Sequence, residues 1–183
     1  AATNRYFALI DSVADTIDKC HDAKQKAALL LIRAVAYSDT QNNEAAIDDL
    51  TAVVQLDSTQ TLAYWQRAVC QARLNAFNAS QGTDISMKTA NVLSDLSVAI
   101  ENNPSAILYY NRGNVYVQRK DYLHAIEDYS KAIEMDSHLA EAYYNRGIAR
   151  LALKQQAQAV ADLSKAGELG LYAAYSIIKQ NRK

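Results

Sequence analysis

The sequence contains the same five-residue pattern twice, at an interval of about 34 residues. Segments 109–113 and 143–147 both read Tyr-Tyr-Asn-Arg-Gly. A unit of about 34 residues cannot bury its own apolar face, so consecutive units must stack against each other. The repeat therefore predicts an elongated array of short units. Arrays of this kind usually bind partners and rarely carry out chemistry.

The same interval extends towards the N-terminus. Arg-Ala pairs occur at 33–34 and 67–68, which are separated by the same step. The step from Ala68 to Gly113 is longer than that interval by about eleven residues, so one unit carries surplus sequence. Four copies result, at residues 27–60, 61–104, 106–139 and 140–173.

Aligning the four copies gives columns in which large and small side chains alternate at helical spacing. The first half of each copy contributes two columns, Leu30/Tyr64/Tyr109/Tyr143 and Ala34/Ala68/Gly113/Gly147. The second half of each copy contributes three more, Ala46/Val92/Ala125/Ala159, Leu50/Leu96/Tyr129/Leu163 and Val53/Ala99/Ala132/Ala166. This pattern predicts two antiparallel helices per copy, with small residues that let the backbones approach closely. Asp121 is expected to cap the helix that begins at Tyr122.

The repeat length, the aromatic-Gly-Tyr run (Tyr109, Gly113, Tyr116) and the Ala125–Tyr129–Ala132 run resemble the tetratricopeptide repeat (TPR) family. The resemblance covers about residues 27–173. It implies an all-α fold, a right-handed superhelical array of antiparallel helix pairs. Residues 1–22 are expected to form a leading helix, the remnant of a preceding repeat in a longer array, and residues 171–183 a C-terminal capping helix. The four repeats then occupy residues 23–173.

Every copy also carries one arginine and one aspartate at fixed positions. The arginines are Arg33, Arg67, Arg112 and Arg146, and the aspartates are Asp49, Asp95, Asp128 and Asp162. This pattern favours a ladder of structural ion pairs over a row of arginines that binds anions. The sequence leaves open whether each pair closes within a copy or between neighbours.

In TPR proteins the first helix of each copy lines a concave groove. Mapped by resemblance, the lining residues here are Leu62, Trp65, Val69, Ile107, Tyr110, Asn111, Asn114, Val117, Glu141, Tyr144, Asn145 and Ile148. Trp65, Tyr110 and Tyr144 share one column and are expected to form an aromatic stripe of binding anchors. Packing between copies is the alternative interpretation for aromatic residues, and it is preferred for Tyr64, Tyr109 and Tyr143.

The predicted partner is a peptide or protein segment of apolar or mixed character. The positions that hold the acidic tail of heat-shock chaperones in some TPR domains carry no Lys or Arg here. They are Trp65, Val69, Asn111, Glu141 and Asn145, or, one copy earlier, Leu31, Val35, Gln66, Ile107 and Asn111. The asparagines are available to bond a peptide backbone.

The remaining sequence features argue against an enzyme. His21, His124 and His138 have no nucleophile at a recognisable spacing, Cys20 and Cys70 stand alone, and no metal or cofactor motif occurs. The formal net charge is −1 without a basic run, which argues against nucleic-acid binding. No stretch predicts membrane insertion. Cysteine usage favours a soluble protein in a reducing, cytoplasmic compartment.

The surplus residues near 75–89 are predicted to lengthen two helices into a projecting hairpin around Gly82. Three roles for this hairpin stay open: contact with a partner, contact with a second copy of the chain, or a tolerated elongation without a role in binding. The main expectation is a non-enzymatic protein-interaction scaffold. Alternatives are a self-association module, or the docking or regulatory arm of a larger enzyme.

Overall fold

The computed structural model describes residues 2–81 and 88–181, and the part that it describes is all α-helical. The chain divides into two compact units, Ala1–Asn102 and Asn103–Lys183. The first unit contains α1 (Ala2–Lys19), α2 (Ala23–Asp39), α3 (Asn43–Leu56), α4 (Thr61–Ser80) and α5 (Lys88–Asn102). The second contains α6 (Ala106–Gln118), α7 (Tyr122–Met135), α8 (Ala140–Ala152), α9 (Gln156–Glu168) and α10 (Ala173–Gln180).

In the first unit each helix packs against the next one along the chain. The contacts join α1 to α2, α2 to α3, α3 to α4, and α4 to α5. Leu50 and Val53 of α3 are fully buried beside Ala34 of α2, and Val13 and Ile17 of α1 join the same apolar cluster. The alternation of large and small residues seen in the sequence therefore forms the contact surface between the helices.

The second unit has the same arrangement. The helix α6 packs on α7, α7 on α8, α8 on α9, and α9 on α10. Tyr129 of α7 is fully buried and lies over Gly113 of α6, while Leu163 of α9 lies over Gly147 of α8. A residue with almost no side chain is needed at Gly113 because the ring of Tyr129 fills the space beside it.

Three of the first helices end in turns that have the same geometry. Gln41, Lys120 and Lys154 follow α2, α6 and α8 with φ angles of 63°, 60° and 60°. The next backbone N–H then bonds a carbonyl five residues back, as in Asn42 to Tyr37 and Asp121 to Tyr116, both 2.9 Å. This turn satisfies the last carbonyls of the helix and starts the second helix at a fixed position.

Helix boundaries differ from the predicted ones at both ends of the chain. The leading helix ends at Lys19, because Asp22 caps α2 by accepting a hydrogen bond from the Gln25 backbone N–H at 2.7 Å. The final helix begins at Ala173 and not at Leu171, because Gly170 forms a turn with φ of 101°. As expected, Asp121 caps α7 through the His124 backbone N–H.

The fourth helix departs from the pattern. Asn75 occupies the repeat position equivalent to Gln41, where the other first helices turn, yet α4 continues to Ser80. It has 20 residues, compared with 13 in each of α6 and α8. The extra turns belong to the predicted insertion. The hairpin expected around Gly82 lies outside the described residues.

Candidate functional site

Each arginine of the repeated pattern forms two hydrogen bonds with one aspartate. The guanidinium Nε donates to Oδ2 and Nη2 donates to Oδ1, at 2.7–2.9 Å. The pairs are Arg33–Asp49, Arg67–Asp95, Arg112–Asp128 and Arg146–Asp162. All four aspartates are buried, with 4–6% of their surface exposed. Each pair joins the first and second helix of one copy, which answers the question that the sequence left open.

A tyrosine ring lies against each of these guanidinium groups. The Arg67, Arg112 and Arg146 Cζ atoms lie 5.6–5.7 Å from the ring centroids of the tyrosines three residues earlier, which are Tyr64, Tyr109 and Tyr143. The first copy has leucine at that position, and Tyr37 takes the place of the missing ring, 5.9 Å from Arg33 Cζ. The tyrosines therefore support the ion pairs through cation–π contacts.

The third guanidinium nitrogen of Arg67 and of Arg146 reaches the preceding helix pair. Arg67 Nη1 donates to Thr51 Oγ1 at 3.2 Å, and Arg146 Nη1 donates to Ser130 Oγ at 2.9 Å. These hydroxyl groups were missed in the sequence analysis. A visible signal was present, because the column after Leu50/Leu96/Tyr129/Leu163 carries a hydroxyl in every copy. That column is Thr51, Ser97, Ser130 and Ser164.

The contacts of the four arginines distinguish between structural ion pairs and a row of arginines that binds anions. The hydrogen bonds from the arginines to the aspartates raise the pKa of Arg33, Arg67 and Arg112 above the ordinary value of an arginine. The guanidinium edges that face the aspartates are occupied, and the side chains hold two or three helices together. This geometry favours a structural role over anion binding.

The predicted groove residues fall into two sets, one in each compact unit. Leu62, Trp65 and Val69 lie on α4 in the first unit, where Leu62 is exposed and Trp65 is half-buried. The indole Nε1 of Trp65 is buried without a hydrogen-bond acceptor in the described part of the chain. The other predicted residues lie on α6 and α8 in the second unit, so the stripe from Trp65 through Tyr110 to Tyr144 stays a prediction.

In the second unit, hydrogen bonds connect the facing sides of α6 and α8. Asn145 Nδ2 of α8 donates to Asn114 Oδ1 at 2.9 Å and to Tyr110 Oη at 3.3 Å on α6. The buried Tyr129 hydroxyl also donates to Asn114 Oδ1, at 2.8 Å. Burial raises the pKa of Tyr129 well above its usual range, so this hydroxyl stays protonated and continues to donate.

The residues of this amide network belong to a surface that we call the α6/α8 face. Ile107, Tyr110, Asn111, Asn114 and Val117 of α6 belong to it, with Glu141, Tyr144, Asn145 and Ile148 of α8. Ile107 is 45% exposed and Glu141 is exposed, whereas the other members are half-buried. Tyr144 and Ile148 also pack against the cluster around Leu163. Both side chains therefore help to hold α8 against its neighbours, and only part of each is available to a ligand.

The remaining candidates for chemistry are dispersed. His21, His124 and His138 are all exposed, and His124 Nδ1 lies 2.7 Å from the Asp121 carboxylate. Cys20 and Cys70 are both free thiols, and Cys70 is buried. Residues 2–81 and 88–181 contain no group of three or more side chains placed to bind a metal. No helix within those ranges is both long and apolar enough to cross a membrane.

Comparisons with known proteins agree with this architecture. A family model for the TPR repeat matches residues 113–154. Human Tetratricopeptide repeat protein 13 is 30% identical over 111 residues, which cover 58% of this chain and 12% of that protein. The crystal structure of MamA has a TM-score of 0.77 at 24% identity and covers 91% of this chain and 89% of that one. YrrB, described as a TPR protein with an unusual peptide-binding site, has a TM-score of 0.71 at 16% identity, covering 95% and 87%.

Antiparallel helix pairs that recur at a fixed interval, with small residues where the helices meet, define an all-α repeat protein. Residues 113–154 match the TPR repeat model and the fold is shared with a solved TPR protein, so the chain is similar to tetratricopeptide repeat proteins in sequence and in fold. It spans about an eighth of the length of its human relative.

Proposed function

We propose that this chain is a non-catalytic interaction module whose α6/α8 face binds an extended segment of another protein. The observation that carries the proposal is the network of Tyr110, Asn114 and Asn145. Hydrogen bonds within the network use Asn114 Oδ1 and Asn145 Nδ2. Among residues 2–81 and 88–181, no other hydrogen bond engages Asn114 Nδ2 or Asn145 Oδ1, which leaves one donor and one acceptor, the pair that a peptide backbone requires.

The composition of the face supports a partner of apolar or mixed character. Ile107, Val117 and Ile148 supply apolar contact area around the amides, and the only charged member is Glu141. An acidic segment has no cation to pair with on this face and meets repulsion from Glu141. The fold shared with YrrB, a TPR protein with a peptide-binding site, adds support from its architecture alone.

The test is selection of peptides from a randomised display library on the intact chain, followed by affinity measurements on variants. Ile107→Glu changes an exposed residue of the face, and Asn145→Ala removes the central amide. We expect each change to weaken binding of a selected peptide by at least about tenfold, or about 1.4 kcal/mol. Leu123→Glu is the control, because Leu123 is 62% exposed on α7 and is not a member of the face.

Circular dichroism establishes that each variant keeps its helices. Peptides that bind Ile107→Glu, Asn145→Ala and wild type equally well would show that the site lies elsewhere. Enrichment of acidic peptides would contradict the predicted character of the partner while leaving the α6/α8 face as the site.

A further inference from the structure

A second candidate site lies in the first unit and shares no residue with the α6/α8 face. A cavity of about 780 Å³ opens between the turn that joins α2 to α3 and the last turns of α4. We call it the Arg73 pocket. Asp39, Asn43, Glu44, Arg73, Leu74 and Phe77 are among the residues that line it.

The pocket depends on the unusual length of α4. The other first helices turn at Gln41, Lys120 and Lys154, whereas α4 runs past Asn75 to Ser80. The additional turns carry Phe77, whose side chain is 62% exposed and lines the cavity. An exposed aromatic ring beside a polar cavity is typical of a binding surface, because the ring supplies large contact area with few rotatable bonds. The extended part of α4 therefore lines one side of the pocket through Phe77.

The pocket contains two carboxylates that lack a cationic partner. Asp39 and Glu44 form no ion pair within residues 2–81 and 88–181. Asn43 Oδ1 is buried without a donor in the same part of the chain. Arg73 is the one cation among the described lining residues, and its Nη1 donates to Ser38 Oγ at 3.0 Å. The described lining therefore holds two carboxylates and one guanidinium group, and that guanidinium is already hydrogen-bonded to Ser38.

The helix ends around the pocket do not favour an anion. The C-terminal end of α2 and the N-terminal end of α3 both line the cavity, and their partial charges have opposite signs. Asn42 caps α3 by accepting a hydrogen bond from the Ala45 backbone N–H, and Glu44 lies in its first turn. The Tyr6 hydroxyl of α1 hydrogen-bonds the Asp39 carboxylate, which raises the pKa of Tyr6 and leaves the charge of Asp39 without a cationic partner.

We propose that the Arg73 pocket receives an arginine side chain of a partner polypeptide. Its planar guanidinium, with five N–H groups, donates to the Asp39 and Glu44 carboxylates. The aliphatic stem of the ligand lies along Leu74, and the Phe77 ring accepts a cation–π contact. The inference is independent of the proposed function, because the two surfaces lie in different units and share no residue.

The proposal is tested by titrating the intact, ¹⁵N-labelled chain with N-acetyl-arginine amide, which has no charged termini. We expect saturable chemical-shift changes at Asn43, Glu44, Arg73 and Phe77. N-acetyl-citrulline amide has nearly the same shape without the charge and is expected to bind at least about fivefold more weakly. The lysine analogue is expected to be intermediate, because an ammonium group has fewer donors and no planar fork.

Variants identify the groups responsible. The double substitution Asp39→Asn/Glu44→Gln is expected to weaken binding of N-acetyl-arginine amide by at least about fivefold, and Phe77→Ala by about threefold. Asp48→Asn, at a position of α3 outside the pocket, serves as the control and is expected to leave binding unchanged. Arg73→Ala is expected to preserve or tighten binding, since it removes a like charge.

Three results would each overturn the assignment: absence of saturable shifts at the pocket, equal affinity for the citrulline compound, or unchanged affinity in the double variant. Tighter binding of N-acetyl-glutamate amide, abolished by Arg73→Ala, would instead define an anion site. Phosphate buffer is avoided so that it does not compete. These outcomes do not depend on whether a peptide binds the α6/α8 face.

Discussion

A buried aspartate in this chain depends on an arginine of the facing helix. Asp128 is 4% exposed, and both of its carboxylate oxygens accept hydrogen bonds from Arg112 at 2.8 Å. Taking a carboxylate out of water is unfavourable unless a partner compensates it. The bidentate geometry provides that compensation and fixes the rotation of α6 relative to α7.

Removing the arginine should therefore destabilise the fold. We expect Arg112→Ala to lower the free energy of unfolding by about 1–3 kcal/mol, because Asp128 is left buried without its cation. The melting temperature and a chemical denaturation curve both measure this change. Arg119→Ala is the matched control at an exposed position and should remain within about 0.5 kcal/mol of wild type. If the two variants melt alike, the pair is not a stabilising element.

At the scale of a helix pair, the small residue in the first helix is matched to the large residue in the second. A Cβ atom on Gly113 would lie 2.7 Å from Tyr129 Cε1, and one on Gly147 would lie 2.8 Å from Leu163 Cγ. The first two copies have alanine opposite leucine in the same columns, Ala34 with Leu50 and Ala68 with Leu96. The chain thus already pairs alanine with leucine in two copies, whereas none of the four copies pairs alanine with tyrosine.

The two glycines are thus expected to respond differently to alanine. Gly113→Ala should destabilise the protein by about 1–3 kcal/mol through overpacking. Gly147→Ala should be close to neutral, since the gain in helix propensity, up to about 1 kcal/mol, offsets a small shift of Leu163. Denaturation of both variants, and of Gly113→Ala combined with Tyr129→Leu, measures the coupling. Equal losses in the two single variants would contradict this account.

The repeat columns predict a large part of each helix pair. Helical spacing determines which side chains meet, so the contacts of Leu50 with Ala34 and of Tyr129 with Gly113 follow from the alignment of the copies. The turns gave no such signal, because Gln41 and Lys120 adopt positive φ angles that usually indicate glycine. The sequence located the surplus residues near 75–89 but did not show where α4 ends, because the alignment gives the number of surplus residues and not their conformation.

The candidate sites were less predictable than the helices, for a related reason. The sequence indicated that Asn114 and Asn145 lie on one face, but their mutual hydrogen bond depends on the distance between α6 and α8. The contact from Arg146 to Ser130 likewise joins two neighbouring helix pairs. Alignment of copies compares equivalent positions, and it carries no information about contacts between different positions of adjacent copies.

At the scale of the whole chain, the residues divide into two compact units, and within each unit a helix contacts mainly its neighbours in sequence. Stability in such arrays is approximately a sum over repeats and their interfaces, so a local defect has a local effect. Leu50 and Leu163 occupy the same column, one in each unit, and both are fully buried. They provide matched positions for a test of this behaviour.

Leu163→Ala should increase amide hydrogen exchange chiefly in α8, α9 and α10, while α1, α2 and α3 keep the exchange rates of the wild type. Leu50→Ala should do the reverse. Each substitution costs about 2–5 kcal/mol locally, because it removes a buried side chain and leaves a cavity. Mass spectrometry of peptic fragments measures the exchange, with the exposed Leu123→Ala as control. If either variant accelerated exchange uniformly from α1 to α10, the chain would unfold as a single cooperative block, and a partner bound to one unit would then stabilise both units equally.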